Sequence, residues 1–301
     1  MILLWGLPHD SLLTALAEEL RDLSADAVVL DQRRAARSTI DPSPGGTIET
    51  GERTIPLAQV TAVYPRPYDT TRLLERAGVA AGTSEWRRAH AFDQGMLAWL
   101  ETTAARVVNR PSAMAANGSK PLQLAQLRAA GFRTPETLVT TDPVAVAEFR
   151  ERHGEVVYKS VSGVRSRVAR LGDDAVDRLG DVVWCPTQFQ RYVPGREHRV
   201  HVVGDEVHAV EVRSDADDYR YPACSEQAPE IRPAVIPAGL AERARRFAAA
   251  NELHLAGMDL RHGTDGEWYC LEANPSPAFT YFEEASGQPL TAAVARLLAA
   301  R

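Results

Sequence analysis

The sequence predicts an α/β protein whose C-terminal part turns to α+β, and three observations predict it. A β-α-β unit opens the chain, strands and helices alternate through the middle third, and two hairpins fill much of the last third.

Taken in order, Ile2-Leu3-Leu4-Trp5 reads as a buried strand. Asp10-Ser11 then precedes Leu12, Leu13, Leu16 and Leu20 at helical spacing, and Ala27-Val28-Val29-Leu30 is a second strand. Such a unit implies a parallel sheet. Residues 37–54, rich in Pro, Gly and Thr, are expected to form turns or a small hairpin, and 60–64 a strand ended by Pro65 and Pro67. A helix is expected over 84–105 with Trp86, Phe92, Leu97 and Leu100 on its buried side. Val107-Val108-Asn109-Arg110-Pro111 leads out of it as a strand and linker, which sets a domain boundary near residue 110.

The middle third opens with Asn117-Gly118-Ser119-Lys120-Pro121 and a helix through Leu122, Leu124, Leu127 and Ala130, closed by Gly131. Strands at 137–140 and 156–159 flank a helix at 144–152, and 182–184 and 187–190 complete the region. Helices at 240–250 and 290–300 accompany the hairpins of the last third. The expected parts are 1–110, an N-terminal α/β domain, then 111–190 and 191–301.

The 301 residues leave room for two or three subdomains, each with a core. With 45% hydrophobic and 25% charged residues and no apolar run long enough to cross a bilayer, no membrane partner is expected. The apolar opening is short and lacks a basic leader, so a secretory signal is not expected. Cys185, Cys224 and Cys270 are far apart, which argues against a disulfide framework or zinc site and suits a cytoplasmic protein. A net charge of −6 argues against non-specific nucleic-acid binding.

The strongest local signal is Ala256-Gly257-Met258-Asp259-Leu260-Arg261 followed by Trp268-Tyr269-Cys270-Leu271-Glu272-Ala273-Asn274-Pro275. The six residues between them are dense in turn formers, so the runs read as a hairpin. Pairing Gly263 with Trp268 sets Asp259 opposite Glu272, and strand periodicity sets Asn274 on the same face. Three oxygen donors then converge with no thiolate or imidazole, a set suited to Mg2+ or Mn2+ bridging substrate phosphates. The competing reading is a solvated acidic sheet face. Against it, Asp259 sits among Ala, Gly, Met and Leu, where an unpaired carboxylate is costly.

A second hairpin runs from Arg196 to Val203 and returns from Val207 to Arg213. A three-residue turn sets Val203 opposite Val207 and Arg199 opposite Glu211, gathering Glu197, Arg199, Glu211 and Arg213 on one face; a two-residue turn splits them. Fixed arginines suit bidentate phosphate or carboxylate binding, and a cross-strand salt-bridge ladder is the plainer alternative. Lys120 and Lys159, each beside small residues, are candidate point charges for a triphosphate or else solvated surface cations. His198, His201 and His208 lack a metal-ligand pattern and read as ordinary strand residues.

In order, these pieces resemble the ATP-grasp superfamily over roughly residues 105–295. The resemblance implies an ATP-grasp fold behind the N-terminal α/β domain, with ATP and Mg2+ (or Mn2+) as cofactors. Lys120 matches the first phosphate lysine and Lys159 the second. Gln190-Arg191-Tyr192-Val193 matches the hinge whose backbone pairs with adenine, and Glu197 the ribose-binding acid. Arg199 matches an arginine at the terminal phosphate and Arg213 a second one near the acyl group, the pair assigned to catalysis. Asp259, Glu272 and Asn274 match the metal ligands in order and spacing.

Within the superfamily the chain is similar to ribosomal-protein glutamate ligases and microviridin-type (graspetide) peptide macrocyclases. Val202-Val203-Gly204-Asp205-Glu206-Val207 is common to that neighbourhood. Asp218-Tyr219-Arg220 is similar to an Asp-Trp-Arg signature, and Asn274-Pro275-Ser276-Pro277-Ala278-Phe279 resembles the tail after the metal asparagine. Two departures stand out. Arg191 is where these relatives often carry Glu, and the loop 160–167 holds one glycine where many hold several, with Arg165 and Arg167 as further charge.

The implied enzyme activates a carboxylate as an acyl phosphate, which an amine or hydroxyl attacks to give an amide or ester with release of ADP and phosphate. No protein nucleophile is required, and Glu211 and Asp218 are candidates for a general base by location alone. A ribosomally made precursor peptide is the leading substrate. A ligase that joins small amino acids, or adds one to a protein terminus, is the enzymatic alternative. A non-catalytic nucleotide- or peptide-binding scaffold is the alternative from another class, opposed by the intact metal triad and lysine pair. The resemblance also implies a homodimer.

Overall fold

The computed structural model describes residues 1–161, 168–176, 178–214 and 228–300. Arg165, Arg167, Asp218, Tyr219, Arg220 and Cys224 therefore lie outside the described residues.

Asp10 accepts hydrogen bonds from the backbone N–H of Leu12 (3.0 Å) and Leu13 (3.2 Å), a cap that starts the helix Ser11–Asp22. Its leucines pack on a sheet in which Ala27–Asp31, Ile2–Gly6, Ala62–Arg66 and Arg106–Val107 run parallel in that order. Ile2–Gly6 is buried at every position, which is why it reads as an unbroken apolar run. Residues 37–54 contribute two strands, Thr39–Ile40 and Thr47–Thr50, of a small antiparallel sheet that Arg53–Pro56 completes.

Two expectations shift here. Pro65 does not end its strand, which pairs on to Arg66. Its missing N–H falls on the side where Arg106–Val107 has already stopped, so no ladder bond is lost. The helix Ser84–Thr102 buries Ala89, Phe92, Met96, Trp99 and Leu100, while Trp86 and Leu97 pack only at the margin. Steps of three and four residues make the observed set a straight stripe, which the expected set is not.

The central segment holds an antiparallel sheet ordered Ala169–Arg170, Val156–Ser160, Thr187–Arg191, Thr137–Thr140. Val146, Phe149, Val156, Leu171 and Phe189 form its core, and the pairing of Gln188 with Lys159 puts both side chains on the opposite face. The last segment is a five-stranded antiparallel sheet ordered Glu230–Ala234, Glu206–Arg213, Gly195–Val203, Leu255–Gly263, Trp268–Asn274. On one face Val200, Val202, Met258, Leu260 and Cys270 pack with the helix Ala238–Ala250. On the other, Val210, Val212 and Leu255 meet Phe279, Phe282 and the helix Leu290–Ala299.

That second core also takes in Leu12 and Leu16, so the closing helix packs on Ser11–Asp22. We propose the division 1–110, 111–190 and 191–301, each part with its own main sheet and the first and third sharing this core. Among the described residues no helix is long and apolar enough to cross a membrane.

Candidate active site

Leu255–Gly263 and Trp268–Asn274 form the expected hairpin, with Asp259 opposite Glu272 and Gly257 opposite Asn274. The turn closes one residue differently. His262 pairs with Trp268, and the Gly263 N–H donates to the Glu267 carbonyl at 2.8 Å. Gly266 at φ 81° and the Asp265 carboxylate, which accepts from the Glu267 N–H, shape that turn. A β-bulge at Leu271 takes up the difference. In a regular strand Cys270 and Glu272 would share a face. The bulge instead sends Cys270 into the apolar core and Glu272 to the opposite face beside Asp259. Burial pushes the Cys270 thiol far above its ordinary pKa, so it is inert.

Two cations converge on Glu272: Nζ of Lys120 lies 3.2 Å and Nζ of Lys159 3.6 Å from its Oε2. Both lysines are buried, at 6% and 7% exposure, so the surface-cation reading fails. Lys120 begins the helix Lys120–Ala129, capped by Ser119. One turn later Gln123 clamps the backbone of Ala273: its Nε2 donates to the carbonyl at 2.5 Å and its Oε1 accepts from the N–H at 3.1 Å. Trp268–Asn274 is an edge strand, so Gln123 supplies the pairing that a further strand would. The clamp sits between Glu272 and Asn274. Lys159 arrives from the central sheet.

The other hairpin corrects an expectation. Val203 pairs with Glu206 across a two-residue turn, so Arg199 faces Val210 rather than Glu211. Gly204 at φ 55° supplies the left-handed corner such a turn needs at its first position. Glu197 and Arg199 therefore project on the site face, and Glu211 and Arg213 on the other. Arg199 is 6% exposed and pairs directly across the sheet with Asp259, Nη1 to Oδ1 at 2.6 Å. Arg213 is exposed and bonds Glu211 at 2.6 Å, which holds that carboxyl below the usual range. The structure does not bring Arg213 or Glu211 to the Asp259–Glu272 cluster; the salt-bridge ladder describes that pair.

His201 is buried against the Phe282 ring, 5.2 Å between centroids, and burial holds its imidazole neutral with a pKa well below the ordinary value. Its Nε2 lies 3.5 Å from Nε of Arg199. His198 packs edge-on against Trp268, as an ordinary strand residue would.

In the segment expected to be the hinge, Gln190 donates to the Thr137 hydroxyl at 3.0 Å. Arg191 bonds Glu136, whose carboxyl it holds below the usual range, and reaches the Tyr269 hydroxyl at 3.3 Å. It thus ties the central sheet to the Asp259–Glu272 hairpin. The Tyr192 N–H donates to the Glu155 carbonyl at 2.8 Å, and the Arg170 guanidinium lies 3.7 Å over its ring. Arg261, missed in the sequence, donates to the Val193 carbonyl at 3.2 Å and to Glu197 at 2.8 Å. Its signal is its register opposite Glu197, which exists only once the strand order is known. Asn109 was also missed. It donates to the carbonyls of Leu255 (2.7 Å) and Pro275 (2.6 Å) and accepts from the N–H of His254 (2.7 Å) and Leu255 (3.1 Å).

Among the described residues no three His, Cys, Asp or Glu side chains gather to hold a metal. The donor set is two carboxylates and the Asn274 amide, whose Oδ1 accepts from the Ser276 N–H at 2.8 Å and has a second lone pair. Oxygen donors alone, at adjacent register positions of one sheet face, fit a hard divalent cation. The three buried cations around them fit a polyanion.

Lys159 of the central sheet and Lys120 meet Glu272 beside the Arg199–Asp259 pair of the last sheet, an arrangement suited to a metal-bound polyanion, and comparison with known proteins names the class. No family model matches the sequence. The chain is similar to the ATP-grasp ligase PsnB, solved with a minimal precursor, Mg and ADP: TM-score 0.82, 30% identity, 99% of this chain and 96% of that one covered. Its fold is also that of the macrocyclase MdnC from Microcystis aeruginosa MRC, bound with precursor peptide MdnA, at TM-score 0.79 and 20% identity over 99% of each chain. The glutathione synthetase of Parasynechococcus marenigrum (strain WH8102) is 26% identical over 215 residues, 65% of this chain and 68% of that protein. The chain belongs to the ATP-grasp ligases. It is an enzyme that forms an amide or ester bond with release of ADP and phosphate.

Proposed function

We propose that this ligase acts on a ribosomally made precursor peptide, activating a side-chain carboxylate and joining it to an amine or hydroxyl of the same peptide. Supporting the peptide reading is the full-length likeness to PsnB, whose structure holds a precursor. The observation that carries the site assignment is the pairing of buried Lys120 and Lys159 with Glu272 and of buried Arg199 with Asp259. In this reading Asp259, Glu272 and Asn274 hold Mg2+ or Mn2+, which when bound neutralises phosphate charge. Lys120 and Lys159 exchange Glu272 for phosphate oxygens. Arg199 donates to the terminal phosphate as charge shifts during transfer. The Gln190-Arg191-Tyr192-Val193 backbone receives the adenine, and Glu197, oriented by Arg261, the ribose. Arg213 is left as an outer residue that meets substrate only from its own face of the sheet.

The test is mass spectrometry with ATP, magnesium and short peptides carrying Asp or Glu together with Ser, Thr or Lys. Loss of one water per bond, matched by one ADP, supports the reading. Turnover on free amino acids alone returns the activity to the small-molecule ligases. No ADP with any carboxylate would leave a nucleotide-binding scaffold.

A further inference from the structure

We infer that Gly257 is a positioning residue: by carrying no side chain, it seats the guanidinium of Arg199 beside Asp259. The inference rests on the assignment of Arg199 to the terminal phosphate. Gly257 lies opposite His201 on one side and Asn274 on the other, so a side chain there would rise on the site face. The Arg199 guanidinium occupies that space. A Cβ built at Gly257 would stand 2.7 Å from Cζ of Arg199 and 2.7 Å from Cβ of Pro277, and nearer still to Nη2 of Arg199.

Space is the reason for glycine here, because Gly257 is not among the residues with positive φ and its backbone suits any side chain. Glycine inside a strand is otherwise a disadvantage. The rest of the seat fits the same account. Asp259 takes Nη1 at 2.6 Å, neutral His201 faces Nε at 3.5 Å, and the Phe282 ring centre is 5.6 Å from Cζ. These contacts seat the Arg199 side chain, which lowers the cost of ordering it on binding.

The test is a double-mutant cycle of Gly257→Ala and Arg199→Ala, read as the affinity for AMPPNP relative to ADP, both with magnesium. Arg199→Ala is expected to lower that ratio by about tenfold with ADP affinity unchanged. Gly257→Ala should reproduce the loss, and the double variant should lose no more than either single one. Additive losses, or an unchanged ratio in Gly257→Ala, overturn the inference while leaving the Arg199 assignment standing. An unchanged ratio in Arg199→Ala overturns that assignment and the inference with it. Thermal unfolding of each variant separates seating from folding. Should Gly257→Ala alone fail to fold, the double variant, freed of the contact with Arg199 and keeping only that with Pro277, is expected to fold; one that does not puts the need for glycine at Pro277 and overturns the inference.

Discussion

Glu272 shares one carboxylate between two lysines that water scarcely reaches. Removing it takes a shared carboxylate from two buried ammonium groups, so Glu272→Ala is expected to lose about 3 kcal/mol in urea unfolding. A loss below 0.5 kcal/mol, roughly a surface pair's worth, would show that the lysines reach water in solution. Asp93 makes a different prediction. Its Oδ2 accepts from Gln32 and Thr70, its Oδ1 is buried with no partner among the described residues, and burial raises its pKa. The folded state therefore holds the proton more tightly than the unfolded one. Asp93 stabilises the protonated protein, and that contribution fades as pH rises through the raised pKa. Asp93→Asn should gain on the parent at about pH 7 and lose that advantage near pH 4, and an equal difference at both would contradict it. At this scale the facing of Asp259 and Glu272 was legible in the sequence, because both lie on one hairpin whose bulge brings the register back to the expected pairing. Gln123 was invisible: a helical glutamine looks like any surface residue until the backbone of an edge strand faces it.

Between strands, legibility turned on parity. The Asp259–Glu272 hairpin tolerated a one-residue misjudgement of its turn because the bulge at Leu271 restored the register before Glu272. The Arg199 hairpin has no such bulge, so one residue in the turn moved Glu211 and Arg213 to the other face. Gly204 carries that decision. Gly204→Val puts a β-branched residue at φ 55° and is expected to cost about 1–2 kcal/mol by thermal or denaturant unfolding. Among the described residues its Cβ would meet only Leu297, at 3.4 Å, so the loss is one of backbone conformation. Gly204→Asn, which tolerates that region better, should recover part of it. Equal stabilities of the two variants would mean the turn has a different geometry.

Across the whole molecule, the site is assembled from segments far apart in the chain. Lys120 comes from a helix, Lys159 from the central sheet, and Arg199, Asp259 and Glu272 from the last sheet. Asn109 pins the end of the first sheet to Leu255 and Pro275, either side of the hairpin's donors. Sequence pattern located the sheets and the order of the pieces. It could not supply the contacts between them, since Asn109 and Arg261 make sense only against partners more than 60 residues away. The central claim is that these segments meet to hold a metal-bound nucleotide. Calorimetric titration of ADP into the protein, with and without magnesium, tests it most directly. Magnesium is expected to strengthen binding in the parent and no longer to strengthen it in Asp259→Asn or Glu272→Gln. An unaltered magnesium effect in both variants would contradict it.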